Sequence, residues 1–137
     1  MDRTRADRAL VILLRVVGVG SLFAVGAVLM PLSWMVAIHR WLGLGELPAA
    51  PVVEYLARSV SAFYAAFGAL FLVAAADLPR YRPLVGFLAV VIAVMGVVLL
   101  GIDLSAGMPW WWSAFEGPLA VGFGALLFFL NRSPRHD

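Results

Sequence analysis

Four ionisable side chains stand in or at the edge of stretches that are otherwise almost wholly apolar: Glu54, Arg58, Asp103 and Glu116. Glu54 and Arg58 lie four residues apart in "EYLAR", in the Glu-before-Arg order that favours a pair along a helix. Glu116 lies in "WWWSAFEGP", four residues after Trp112 and two before Pro118. Two chemistries fit these residue types. The plain one is an intrahelical ion pair with two further carboxylates at a wet boundary, together holding helix ends. The sharper one is a single cluster of three carboxylates around one guanidinium. Like charges crowded in this way favour uptake of a proton, a cation or an amine. A third use is acid–base chemistry by Glu116 or Asp103 on a lipid, since isomerases and hydrolases can run on carboxylates alone.

Other constellations are missing from the sequence. With no Cys there is no thiolate nucleophile or thiolate metal site. His39 and His136 are the only histidines, and neither has the spacing of a haem or di-metal site, so no metal and no cofactor is expected. The glycine-rich runs follow no strand, which removes a phosphate loop. No catalytic residue can be assigned.

The elements that must position the four charges follow from hydropathy. Of 137 residues, 64% are hydrophobic and 13% charged. The mean hydropathy is +0.98. Too little polar sequence remains to coat a soluble domain, so the chain reads as one integral membrane domain, residues 1–137. Four runs are each near the ~20 residues needed to cross a bilayer: 9–30, 52–76, 83–104 and 109–130. The first is too long for a signal-peptide core and is read as a retained span. "DLPRYRP" (77–83) reads as a turn between the second and third spans, and "SAGMP" (105–109) separates the third and fourth.

All ten basic residues are Arg. Arg3, Arg5, Arg8, Arg80, Arg82, Arg132 and Arg135 flank the same side of this arrangement, and Arg40 the other. The asymmetry places both termini in the cytoplasm. The net charge of +2 comes from these flanks and gives no nucleic-acid footprint. Between the first two spans, Trp34, Ile38, Trp41 and Leu42 recur at helical spacing, with His39 and Arg40 off that stripe and Gly43 and Gly45 after it. This predicts a short amphipathic helix over about 32–42 at the membrane surface. The alternative is that the first span continues past a kink at Pro31.

This topology brings Glu54, Arg58, Asp103 and Glu116 to one level near the outer surface. A rise of about 1.5 Å per residue puts Arg58 about 10 Å below the start of its span. Trp34, His39, Trp41, Trp110, Trp111 and Trp112 would form a lid above them. Glu54, Arg58, Ser61, Ala65 and Gly68 share one helix face, as do Ala89, Gly96 and Asp103, and Glu116, Ala120 and Gly124 lie close together. Small residues let helices approach closely in lipid, so these faces should be the packed ones. Pro118 is read as lying within a helix that begins near Pro109 and kinks near Gly117–Pro118, because a helix starting at 118 would be too short to cross. On the inner side Arg15 either snorkels to the surface or pairs with Asp77.

With short Arg-bearing flanks, four spans, "EYLARSVSAFYAAFGALFL" in the second and "EGP" early in the fourth, the chain resembles the DoxX-like group of small bacterial four-helix membrane proteins. The long "PLSWMVAIHRWLGLGELP" segment departs from that group's short first loop. The resemblance implies a bundle in a bacterial inner (plasma) membrane, as a subunit of a larger complex, and supplies no catalytic residue. The expected fold is therefore an all-α membrane protein, a four-transmembrane-helix bundle with a short interfacial amphipathic helix between spans one and two. The expected function is that of a non-enzymatic subunit or accessory factor. The alternatives are a homo-oligomeric transporter of a proton, cation or amine, and a lipid-modifying enzyme. Expected partners are the lipid bilayer and either a homo-oligomer or a larger membrane complex, with no nucleic acid.

Overall fold

Proline, glycine and one capping aspartate divide the apolar sequence into helices. The structure, a computed structural model of the chain, describes residues 3–132; Arg135 and His136 lie outside them. The described residues form α1 (Arg3–Leu22), α2 (Ala24–Leu29), α3 (Leu32–Trp41), α4 (Pro51–Ala76), α5 (Leu78–Ala106) and α6 (Trp110–Asn131). Only Phe23 separates α1 from α2. Its N–H donates to the Gly20 carbonyl at 3.2 Å, a tightened turn that leaves both pieces in one apolar segment.

Pro31 makes the next break. It forces an extended conformation on Met30 (φ −70°, ψ 148°) and itself precedes α3. The chain therefore stops and restarts at Met30–Pro31, and α3 is a helix of its own. Gly43 (φ 70°) and Gly45 (φ 88°) end it in the left-handed region that glycine adopts without steric cost. Pro51 opens α4 at a position where its missing N–H costs nothing.

The stretch 77–83 is not the turn its two prolines suggest. Asp77 alone is the break. Its carboxylate accepts from the Arg80 N–H at 3.3 Å, Pro79 fits the first helical turn, and α5 runs on through Pro83. Likewise α6 begins at Trp110 and runs through Pro118, as its length requires.

Four helical segments are long and apolar enough to cross a membrane: Arg5–Leu29, Pro51–Ala76, Leu78–Ala106 and Trp110–Asn131. Between 11% and 28% of the most apolar window of each is buried, so most of their large apolar side chains point away from the protein. Phe23, Leu29, Phe63, Phe87, Leu119 and Phe129 are all strongly exposed.

The chain forms two compact units. One comprises Met1–Leu13 and Ala74–Asp137, the other Leu14–Val73. In the first, α5 and α6 pack antiparallel with backbone against backbone. A Cβ on Gly96 would stand 2.7 Å from the Gly117 carbonyl oxygen, and one on Gly124 would stand 2.6 Å from that of Ala89. Ala89 and Gly96 are seven residues apart, as are Gly117 and Gly124, so the same contact repeats along the seam. Ala89, Gly96 and Asp103 are all buried, as their shared face predicts. On α6 the packed face is centred on Ser113, Gly117 and Gly124, one residue round from Glu116 and Ala120, which are half-buried. In the second unit Gly18 of α1 meets Gly68 of α4, and a Cβ on Gly68 would lie 2.7 Å from the Gly18 carbonyl oxygen.

Glycines at these contacts should tolerate no side chain, whereas those facing open space should. Gly124→Val should destabilise by about 1–3 kcal/mol through overpacking. Gly122→Ala, where nothing lies within 4 Å of the added Cβ, should stabilise by about 0.5–1 kcal/mol. Thermal melting of the two purified variants checks both signs.

Candidate functional site

Arg58 is the best-bonded charge in the second unit. Its Nε and Nη2 donate to Glu54 Oε1 at 2.9 and 2.8 Å. Nη1 donates to the Val28 carbonyl, and Nη2 also reaches the Met30 carbonyl at 3.1 Å. Val28 and Met30 stand at the C-terminal end of α2, where carbonyls lack helical partners and carry the negative end of the helix dipole. The guanidinium thus caps one helix while pairing with its own. The face of α4 predicted from the sequence is the inward one: Glu54, Arg58 and Ser61 are half-buried, and Ala65 and Gly68 buried.

Asp103 and Glu116 belong to the first unit. Glu116 Oε2 accepts from Trp112 Nε1 at 2.6 Å, a bond between neighbours one turn apart on α6. Asp103 is 4% exposed and Ser113 6%. Asp103 Oδ2 and Ser113 Oγ are both buried without a hydrogen-bond partner. Such orphaned groups are uncommon in native proteins, and each costs about 1–3 kcal/mol. They stand near the end of α5 and the start of α6, on the helix faces that carry Gly96 and Gly117. The sequence reading selected Asp103 but passed over Ser113. The available signal was that Ser113 precedes Gly117 by one helical turn.

The aromatic residues of the expected lid divide between the two units. Trp111 and Trp112 stack edge-on, with centroids 5.6 Å apart, and Trp110 is exposed. Trp34 and Trp41 are exposed on α3, which buries none of its residues. His39 Nδ1 lies 3.1 Å from the Gly45 carbonyl oxygen, and Arg40 binds Glu46 through Nε (3.1 Å) and Nη2 (3.0 Å), so the loop after α3 folds back on its last turn. The Arg40 guanidinium holds the Glu46 carboxyl below the usual carboxylate range, first by hydrogen bonding and then by charge. On the other side of the sequence, Asp77 caps α5 and Arg15 is exposed on α1.

A second polar clasp escaped the sequence reading. Arg82 Nη2 donates to Asp7 Oδ1 at 2.5 Å, and Nη1 donates to the Asn131 carbonyl at 3.2 Å. Asn131 Nδ2 answers by donating to the Arg82 carbonyl at 3.2 Å. One guanidinium therefore ties the start of α1 to the first turns of α5 and the end of α6. From sequence Arg82 is only another inner-side positive charge, because its partners lie 75 and 49 positions away. Among the described residues, no three His, Asp or Glu side chains assemble in a way that would hold a metal ion.

No family model, no curated protein and no solved structure matches this chain.

The Arg82 clasp should behave as a coupled unit. In a double-mutant cycle of Asp7→Asn and Arg82→Gln, melting should report a coupling of about 0.5–3 kcal/mol. Strictly additive losses would show that the Asn131 bonds alone secure this end.

Proposed function

We propose that the protein is a small, non-enzymatic, multi-pass membrane protein that serves as a subunit or accessory factor. Its intramembrane charges act as clasps between helix ends. The observation that carries the reading is the saturation of Arg58: all three of its nitrogens are spent on Glu54 and on the carbonyls of Val28 and Met30. An arginine spent in this way fixes the end of the first span and has little left for a ligand. Four long apolar helices with outward-facing Phe, Leu and Val side chains support placement in a bilayer. The exposed Trp34, Ile38 and Trp41 on α3 suit a helix lying in the interfacial zone. The distribution of Arg supports cytoplasmic termini, and the DoxX-like resemblance fits a bacterial inner membrane and a place in a larger complex.

Arg58→Ala should lower stability by about 1–3 kcal/mol, because Glu54 and two carbonyls lose their donor. Arg58→Lys should recover part of the loss, since an ammonium cannot reach three acceptors in the guanidinium geometry. No added water-soluble small molecule should protect either variant or the parent protein. A ligand-induced rise in melting temperature that Glu116→Gln abolishes would sink the accessory-factor reading.

One observation favours a second reading, that of a proton-, cation- or amine-binding homo-oligomer. Asp103 Oδ2 and Ser113 Oγ are each buried with no partner, and within the first unit the described Arg residues of α5 and α6 stand at the opposite helix ends. A small cation would meet the unspent charge of Asp103. Trp110, Trp111 and Trp112 are built-in reporters. On this reading sodium or an alkylammonium ion changes their fluorescence in the parent protein and not in Asp103→Asn. No fluorescence change in the parent protein on adding sodium or the alkylammonium rejects it.

A further inference from the structure

A shallow apolar groove of about 280 Å³ runs along one flank of the α5–α6 seam. It exists because the seam is built of small residues. Ala89, Ala93, Gly124 and Ala125 let the backbones touch and line the groove beside Val90, Val94 and Phe129. Phe128 also lines it, and on Phe128 rests the Arg132 guanidinium, 4.4 Å from the ring centroid. That spacing is within the range of cation–π attraction. Arg132 is exposed, and among the described residues no carboxylate pairs with it. Arg82 at the same end is already committed to Asp7 and Asn131. A strip of hydrocarbon surface leading to an exposed guanidinium that no described carboxylate compensates has the polarity of an amphiphile with an anionic head. A neutral lipid would bring Arg132 no counter-charge.

We infer that this groove binds an anionic phospholipid, with an acyl chain against the alanine-rich flank and the phosphate on Arg132. The inference rests on the membrane reading above and adds a ligand class to it. Phe128 holds the guanidinium in place before the lipid arrives, which reduces the side-chain ordering that binding requires. The phosphate forms charge-assisted hydrogen bonds with the guanidinium.

The test is native mass spectrometry of the full chain released from nanodiscs of mixed phosphatidylglycerol and phosphatidylcholine. The parent protein should retain phosphatidylglycerol with about fivefold preference, the factor expected of one basic residue near an anionic surface. Arg132→Ala should remove the preference, and Arg80→Ala, an equally exposed inner-side charge, should keep it. Ala125→Leu should lower retention of both lipids by filling the groove. Equal retention of the two lipids by the parent protein overturns the site. So does an equal loss in Arg80→Ala, which would indicate diffuse surface charge. A change of oligomer mass in Ala125→Leu would overturn it too, by assigning the groove to a second copy of the chain. Failure to enter nanodiscs at all would instead strike the membrane reading, so the two failures are distinguishable.

Discussion

Backbone lies directly on backbone where α5 meets α6, and much else follows from that contact. A side-chain methyl on Gly96, Gly117 or Gly124 would stand 2.6–2.7 Å from a carbonyl oxygen of the facing helix. In a bilayer, the environment we propose, the helices would gain nothing from hiding apolar surface, because lipid is as apolar as leucine. What remains is dispersion, which falls off steeply with distance, and a few polar bonds. Small residues at seven-residue steps give the shortest approach over the greatest length. The same steps set the register. Ala89 meets Gly124 and Gly96 meets Gly117, and one further step brings Arg82 to Asn131, whose bonds close the ladder. The Gly18–Gly68 contact repeats the device in the second unit. The flank left open by these small residues is the apolar groove.

Polar groups occupy the ends of the packed faces and are used unequally. Arg58 and Arg82 each bridge elements, and each satisfies backbone carbonyls near a helix end as well as a carboxylate. Five donors in a rigid fork make arginine suited to this double task. Arg40 and Glu46 pair in full exposure, where solvent screens the attraction, and that pair only trims the loop after α3. Asp103 and Ser113 are the opposite case, deeply buried with unmet hydrogen-bonding capacity. The contrast separates charges that hold the fold from the position where a ligand would find unspent polarity.

The sequence by itself determined the class of fold and most of its punctuation. Hydropathy marks four apolar segments, each near the ~20 residues that crossing a bilayer would demand. Pro31, Gly43, Gly45 and Pro51 end or open helices through constraints local to the chain. The packed face of α4 and the Ala89–Gly96–Asp103 face were legible too, since helical periodicity fixes which residues share a side. The prolines of 77–83 look like a turn in the sequence, yet Asp77 caps α5, Pro79 fits its first turn and Pro83 lies inside the helix. Tertiary structure alone decided the partners. Arg58 takes the carbonyls of Val28 and Met30, Arg82 takes Asp7 and Asn131, and Glu116 is held by its own Trp112. The orphaned Ser113 likewise emerges only once α5 and α6 are packed. The physical reason is range. Caps, breaks and hydropathy act over a few residues, whereas a hydrogen bond between residues 28 and 58 or 7 and 82 depends on how helices distant in sequence lie against one another.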